Sequence, residues 1–138
     1  MQQSAIYWPM IAQVALTFAA YVIMSLRRID AVKSGAAKAR DFKIPDDPEL
    51  SASAARNVSN QFELPVLFYV VCLALVQTGG VSVWTVGLAW LFVILRYAHA
   101  WVHMTSNRLG LRRPVFTAGY AVVGMMWIWL AARLVIGG

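Results

Sequence analysis

Four stretches of this chain are long and apolar enough to cross a bilayer, and that feature constrains its fold more than any other. A spanning helix needs about 20 mostly apolar residues. Such runs lie at roughly Ala5–Leu26, Ala54–Gln77, Val81–Thr105 and Pro114–Ile136. The hydrocarbon offers no water to backbone N–H and C=O groups, so each run must satisfy them internally as a helix. Composition agrees, since 60% of the 138 residues are apolar and only 13% are charged, against about 45–50% and about 25% in soluble domains. Mean hydropathy is +0.63. A soluble enzyme this small could not bury so much apolar surface, and a disordered chain would be polar. The expected fold is an all-α membrane protein, a four-transmembrane-helix bundle forming one domain over residues 1–138.

Charge placement sets an orientation. Residues 27–53 form a long polar connection carrying Arg27, Arg28, Lys33, Lys38, Arg40 and Lys43, and the third connection carries Arg108, Arg112 and Arg113. The N-terminal tail and the Thr78-Gly79-Gly80 turn hold no Lys or Arg. By the positive-inside rule both basic loops are cytoplasmic and both termini lie outside. Arg27 and Arg28 follow the first apolar core instead of preceding it. That is the reverse of a signal peptide, so the first run reads as a retained helix. The net charge of +6 therefore serves membrane topology, and nucleic acid is not an expected partner. Arg133 can snorkel to the outer interface. The Lys43-Ile44-Pro45-Asp46-Asp47-Pro48-Glu49 segment reads as an extended turn, with Ser51 or Ser53 capping the next helix. Cys72 is the lone cysteine, which excludes an internal disulfide and reads as a small packed hydrophobe.

Several polar residues nevertheless fall at membrane depth, where a charge costs about 2.5–3.5 kcal/mol on insertion scales. On the second helix Arg56, Asn60 and Glu63 stand at i, i+4 and i+7, one stripe of a helical surface. On the third, Arg96, His99, His103 and Asn107 form another. At 1.5 Å per residue Glu63 sits roughly 10 Å in from Arg56, and Arg96 roughly 15 Å in from Ser106. Stripes of opposite charge at similar depth are expected to line a polar cleft open to the cytoplasm. The plainer reading pairs Glu63 with Arg96 and uses Asn60 as interhelical glue. Packing alone, however, rarely needs so many polar groups, and buried ion pairs stabilise poorly. The i, i+4 spacing of His99 and His103 suits a metal or haem, but no third ligand completes a set, and no metal site is assigned. Trp84, Trp90, Trp101, Trp127 and Trp129 read as interface anchors and lipid-facing bulk. Gly119 and Gly124, with Ala118, Ala121, Ala131 and Ala132, read as a close-packing face of the last helix. Pro65 predicts a kink just after Glu63.

The run Arg56-Asn57-Val58-Ser59-Asn60-Gln61-Phe62-Glu63-Leu64-Pro65 resembles the R-x-x-x-N-x-x-E stripe of the MAPEG superfamily, the membrane-associated proteins of eicosanoid and glutathione metabolism. Arg96-Tyr97-Ala98-His99 is similar to the R-x-x-H of microsomal glutathione transferases and the inducible prostaglandin E synthase. The resemblance covers essentially the whole chain, as a bacterial-type member, and so implies the bacterial inner membrane. It also implies a homotrimer binding glutathione, as co-substrate, between neighbouring subunits near the cytoplasmic side. Carried over, Glu63 would hold the glutathione amino group, and Asn60 and Arg56 its polar backbone and carboxylates. Arg96, His99 and His103 belong to the same binding set, and Arg27 or Arg28, with Arg28 placed in the set, would match a further glutathione-contacting arginine.

The family's thiolate-activating arginine, at the start of the fourth helix, falls in Arg112-Arg113-Pro114, with Arg113 preferred over Arg112. A free thiol has a pKa of about 8.5, which cations and helix N-termini lower by several units. With Pro114 as a first helical residue, Arg113 would add its charge to the positive end of the helix dipole. The chain departs from the family at His103, Leu64 and Trp101, where tyrosines are found. The implied function is a glutathione-dependent membrane transferase or peroxidase acting on a small hydrophobic electrophile drawn from the lipid. The alternatives are a non-catalytic MAPEG-like scaffold or ligand-binding protein, and a metal- or haem-binding protein using His99 and His103.

Overall fold

The computed structural model of the chain describes residues 2–43, 49–106 and 108–136. Among them all regular structure is helical: α1 is Tyr7–Lys33, α2 Glu49–Asn60, α3 Leu64–Gln77, α4 Val83–Met104 and α5 Leu109–Ile136. Short 3-10 turns lie at Gln3–Ile6 and Ala39–Lys43. Four helical stretches are long and apolar enough to cross a membrane, α2 and α3 together supplying the second, Ser51–Gln77.

The helices outrun the apolar stretches at the basic end. α1 continues past Leu26 to Lys33, and α5 begins at Leu109 instead of Pro114. Hydropathy marks where lipid ends, not where a helix must end, and Arg27, Arg28, Asp30 and Lys33 are tolerable helix formers. The connection expected over 27–53 is thus largely helical, and residues 44–48 of its proline-rich turn lie outside the described residues. α1 stops where Gly35 takes φ 75°, the left-handed conformation that suits glycine. Neither Ser51 nor Ser53 caps α2, which has already begun at Glu49. The Ser53 hydroxyl instead accepts from Arg27 Nη1 at 2.9 Å, while Arg27 Nη2 donates to the Met104 carbonyl at 2.7 Å. One guanidinium therefore ties α1, α2 and the end of α4 together.

At the opposite end the Thr78–Ser82 turn forms as its composition requires. Gly79 takes φ 63°, and Ser82 and Thr85 make a reciprocal capping box, with Thr85 N donating to Ser82 Oγ at 3.3 Å and Ser82 N to Thr85 Oγ1 at 2.8 Å. The core lies among α3, α4 and α5, where Phe68 stacks on Phe92 with ring centroids 4.4 Å apart. Cys72 is buried there as a packed hydrophobe. Gly119 is buried beside Phe92, whereas Ala121, Ala131 and Ala132 lie on the outer surface. The small residues of the last helix therefore do not form one packed face within the chain. Trp84 and Trp101 are exposed near opposite ends of α4, as aromatic belts are.

Candidate functional site

The second span is not a kinked helix but a broken one. α2 ends at Asn60 and α3 begins at Leu64, with Pro65 in the first turn of the new helix. A proline ring collides with the carbonyl four residues back and offers no N–H to it, here that of Gln61. The chain tightens instead, Gln61 N donating to Val58 O at 2.9 Å and Phe62 N to Ser59 O at 3.0 Å. Glu63 sits in the break, outside regular helix at φ −96° and ψ −102°. The i, i+4, i+7 stripe therefore holds for Arg56 and Asn60 but not for Glu63.

A helix that ends inside the membrane leaves carbonyls without partners, and one of these is met from across the bundle. Arg96 Nη2 donates to the Asn60 carbonyl at 3.0 Å. Arg96 is only 1% exposed, and its Nε and Nη1 have no hydrogen-bond partner among the described residues. Cationic donors are favourable at a helix C-terminus. The expectation that the two stripes meet is realised through a backbone carbonyl, while the Glu63 side chain is exposed.

Beside this junction a cavity of about 480 Å³ opens between the end of α2, α4 and the first turns of α5, lined by Asn60, His99, Arg112, Arg113, Phe116 and Thr117. Four residues singled out in the sequence, one from α2, one from α4 and two from α5, are brought together. The others are placed differently. Arg56 and Glu63 are exposed and outside the lining. Arg96 supports Asn60 from behind, and His103 is buried one turn beyond His99 with its ring centroid 5.7 Å away. The Arg28 guanidinium lies over the Phe42 ring, 5.3 Å from its centroid, and also takes no part in the lining. Asn107 lies outside the described residues.

Because α5 starts at Leu109, Pro114 is an interior residue, and Arg112 and Arg113 are the fourth and fifth residues of the helix. The helix dipole acts mainly within the first turn. Stabilisation of an anion at this cavity therefore falls to the two guanidinium charges themselves. Phe116 and Thr117 were missed in the sequence, although they stand three and four residues after Arg113 and must share its face. A second polar group was also missed. Gln13 Nε2 donates to Gln61 Oε1 at 3.0 Å, and both residues are buried with Asn57 between α1 and α2. The one sequence signal that could have found it is that Gln13 is an amide within an apolar run. Among the described residues no group of three or more His, Cys, Asp and Glu could hold a metal ion.

A cavity of this size is ordinary for a small ligand, for which pockets run about 300–1,000 Å³. Its lining of two arginines, an imidazole, an amide and a phenyl ring suits an anion that also carries apolar or peptide groups. No curated protein and no solved structure matches the chain. The family model described as MAPEG family matches residues 5–132, nearly its whole length. With four membrane-crossing helices and a cationic cavity at their basic end, this chain belongs to the MAPEG family, the multi-pass membrane proteins of eicosanoid and glutathione metabolism.

Proposed function

We propose that the protein is a glutathione-dependent transferase or peroxidase that attacks a hydrophobic electrophile with an arginine-stabilised thiolate. The observation that carries this reading is the convergence of Arg112 and Arg113 with Asn60 and His99 around one cavity. Glutathione carries a net negative charge and a thiol. Two guanidiniums facing its sulfur would favour the thiolate over the thiol, and charge-assisted hydrogen bonds would grip its carboxylates. Phe116 and Thr117 supply a partly apolar wall against which a lipid-soluble electrophile could meet the sulfur.

Glu63 and Arg56 support assembly as a homotrimer. Both are exposed on the single chain, and Glu63 lies well inside the second span. An acidic side chain near the centre of a membrane helix costs about 2.5–3.5 kcal/mol when left to lipid. Covering by a neighbouring copy removes that penalty and would let Glu63 take the glutathione amino group at a shared site. In this reading the basic loops are cytoplasmic, both termini lie outside, and the host membrane is a bacterial inner membrane.

The test is glutathione calorimetry on the detergent-purified protein, with ultraviolet detection of the thiolate, for wild type and Arg113→Ala. Binding with a thiolate signal that disappears in Arg113→Ala supports an activated-thiol enzyme. Binding without a thiolate signal or turnover would instead make it a ligand-binding member of the family. No binding at millimolar glutathione would sink the reading.

A further inference from the structure

Two cavities of about 400 Å³ each open along α1 and have Val14 and Tyr69 in common. Phe18, Tyr21 and Phe62 line one of them beside Thr17 and Gln61, and the other continues along α1 to Tyr7. They make one groove from Tyr7 to Tyr21, roughly 20 Å at 1.5 Å per residue. It shares no lining residue with the cationic cavity, and among the described residues no charged side chain lines it. Its rim is apolar and exposed at Val14, Phe18 and Phe62. Ligand pockets have this make-up, apolar and aromatic walls with a few placed polar groups.

The polar groups of the groove decide what it can hold. Thr17 gives its one hydroxyl proton to the Gln13 carbonyl at 3.2 Å. In the side-chain hydrogen bond between Thr17 and Tyr69 the tyrosine is therefore the donor. Only lone pairs are left on its oxygen. Gln61 is 1% exposed and engaged inward, its Oε1 accepting from Gln13 and its Nε2 donating to Asn57. Tyr69 is half-buried and lines both cavities, so its oxygen is the acceptor that a molecule in the groove can reach. A hydrocarbon chain brings no donor to this atom, and an ionised group would carry the cost of a charge at membrane depth. A neutral hydroxyl meets both conditions. The rings of Phe18, Tyr21, Phe62 and Tyr69 at this end of the groove suit a flat aromatic partner.

We propose that this groove is a binding site for a neutral, lipid-soluble phenol or hydroquinone carrying an apolar tail. The ring lies among Phe18, Tyr21 and Phe62, its hydroxyl donates to the Tyr69 oxygen, and the tail runs along α1 towards Tyr7. The site is independent of the glutathione reading.

The experiment is equilibrium binding of radiolabelled para-nonylphenol and nonylbenzene to the full chain in lipid nanodiscs, with uptake by empty nanodiscs subtracted. The two probes differ by one hydroxyl. The phenol is expected to bind about tenfold more tightly, and Tyr69→Phe is expected to bring the two within about twofold. A straight-chain alcohol of matching length brings the hydroxyl without the ring and is expected to bind several-fold more weakly than the phenol. Equal affinities of the phenol and nonylbenzene for wild type would make the groove a seat for any apolar chain and overturn the proposal. So would a preference that survives Tyr69→Phe, or an alcohol that matches the phenol. Should the variant fail to fold, the comparison of probes on wild type decides alone. Absence of saturable binding also overturns the proposal, and cross-linking of one copy to another by a benzophenone placed at Phe18 would then give the groove to a subunit interface.

Discussion

The Arg96 guanidinium donates to the main-chain carbonyl of Asn60 at 3.0 Å, 36 residues away in sequence, and so caps a helix that ends inside the membrane. The same Asn60 lines the cationic cavity. A hydrogen bond involving a charged group contributes about 1.5–3 kcal/mol, but Arg96 also holds two buried donors without partners. Arg96→Met loses the bond and removes those buried donors together, so the two effects oppose each other. Thermal unfolding in detergent is expected to show a loss smaller than about 1.5 kcal/mol. Glutathione affinity is expected to fall about tenfold or more as the end of α2 loosens. Undiminished affinity would mean that Arg96 does not position Asn60.

Pro65 is the residue that forbids α2 and α3 from joining. Alanine in its place restores an N–H and removes the ring that collides with the Gln61 carbonyl. Pro65→Ala is therefore expected to let the two helices become continuous. Circular dichroism should then show added helix, and glutathione affinity should fall because Asn60 turns with the rebuilt helix. Added helix with unchanged affinity would show that the break has no part in building the site.

The spans were legible because lipid imposes one rule on every residue of a run, and the helices lie where the apolar stretches do. The extensions of α1 to Lys33 and α5 back to Leu109 were not, since nothing in hydropathy says that a helix must stop in water. Asn60 and His99 could be singled out because polar groups at membrane depth are conspicuous, whereas Arg112 and Arg113, in the basic third connection, were drawn to the site only by the family resemblance. The separation of Glu63 from them could not, because helical spacing stops being a guide once Pro65 has broken the helix. Gln13 shows a different limit. An isolated amide announces that it needs a partner, but only the packing of α1 on α2 reveals that the partner is Gln61.

That amide pair has its own consequence. Gln13→Leu leaves Gln61 Oε1 buried without its donor, and an unsatisfied buried group costs about 1–3 kcal/mol. Gln13→Leu with Gln61→Leu replaces both polar partners by apolar ones and is expected to be more stable than Gln13→Leu alone. Interhelical polar couplings in membranes average only about 0.6 kcal/mol and reach about 1.7, so the double-mutant cycle should return a coupling in that range. A coupling indistinguishable from zero would mean that this contact does not hold α1 to α2.

In the proposed trimer Glu63 would join the fold of one chain to a site shared by several. Its side chain is exposed, yet it lies within the second membrane span. If its role is to hold the glutathione amino group at a subunit boundary, Glu63→Gln keeps the shape and a hydrogen-bond acceptor but removes the charge. A charge-assisted bond is roughly twice as strong as a neutral one, so glutathione affinity is expected to fall about tenfold, with the oligomer intact by light scattering. A charge facing lipid would give the opposite pattern, since losing it would leave affinity unchanged and raise the melting temperature. Dissociation into single chains would assign Glu63 to subunit packing, and the shared site would lose the residue on which it is centred.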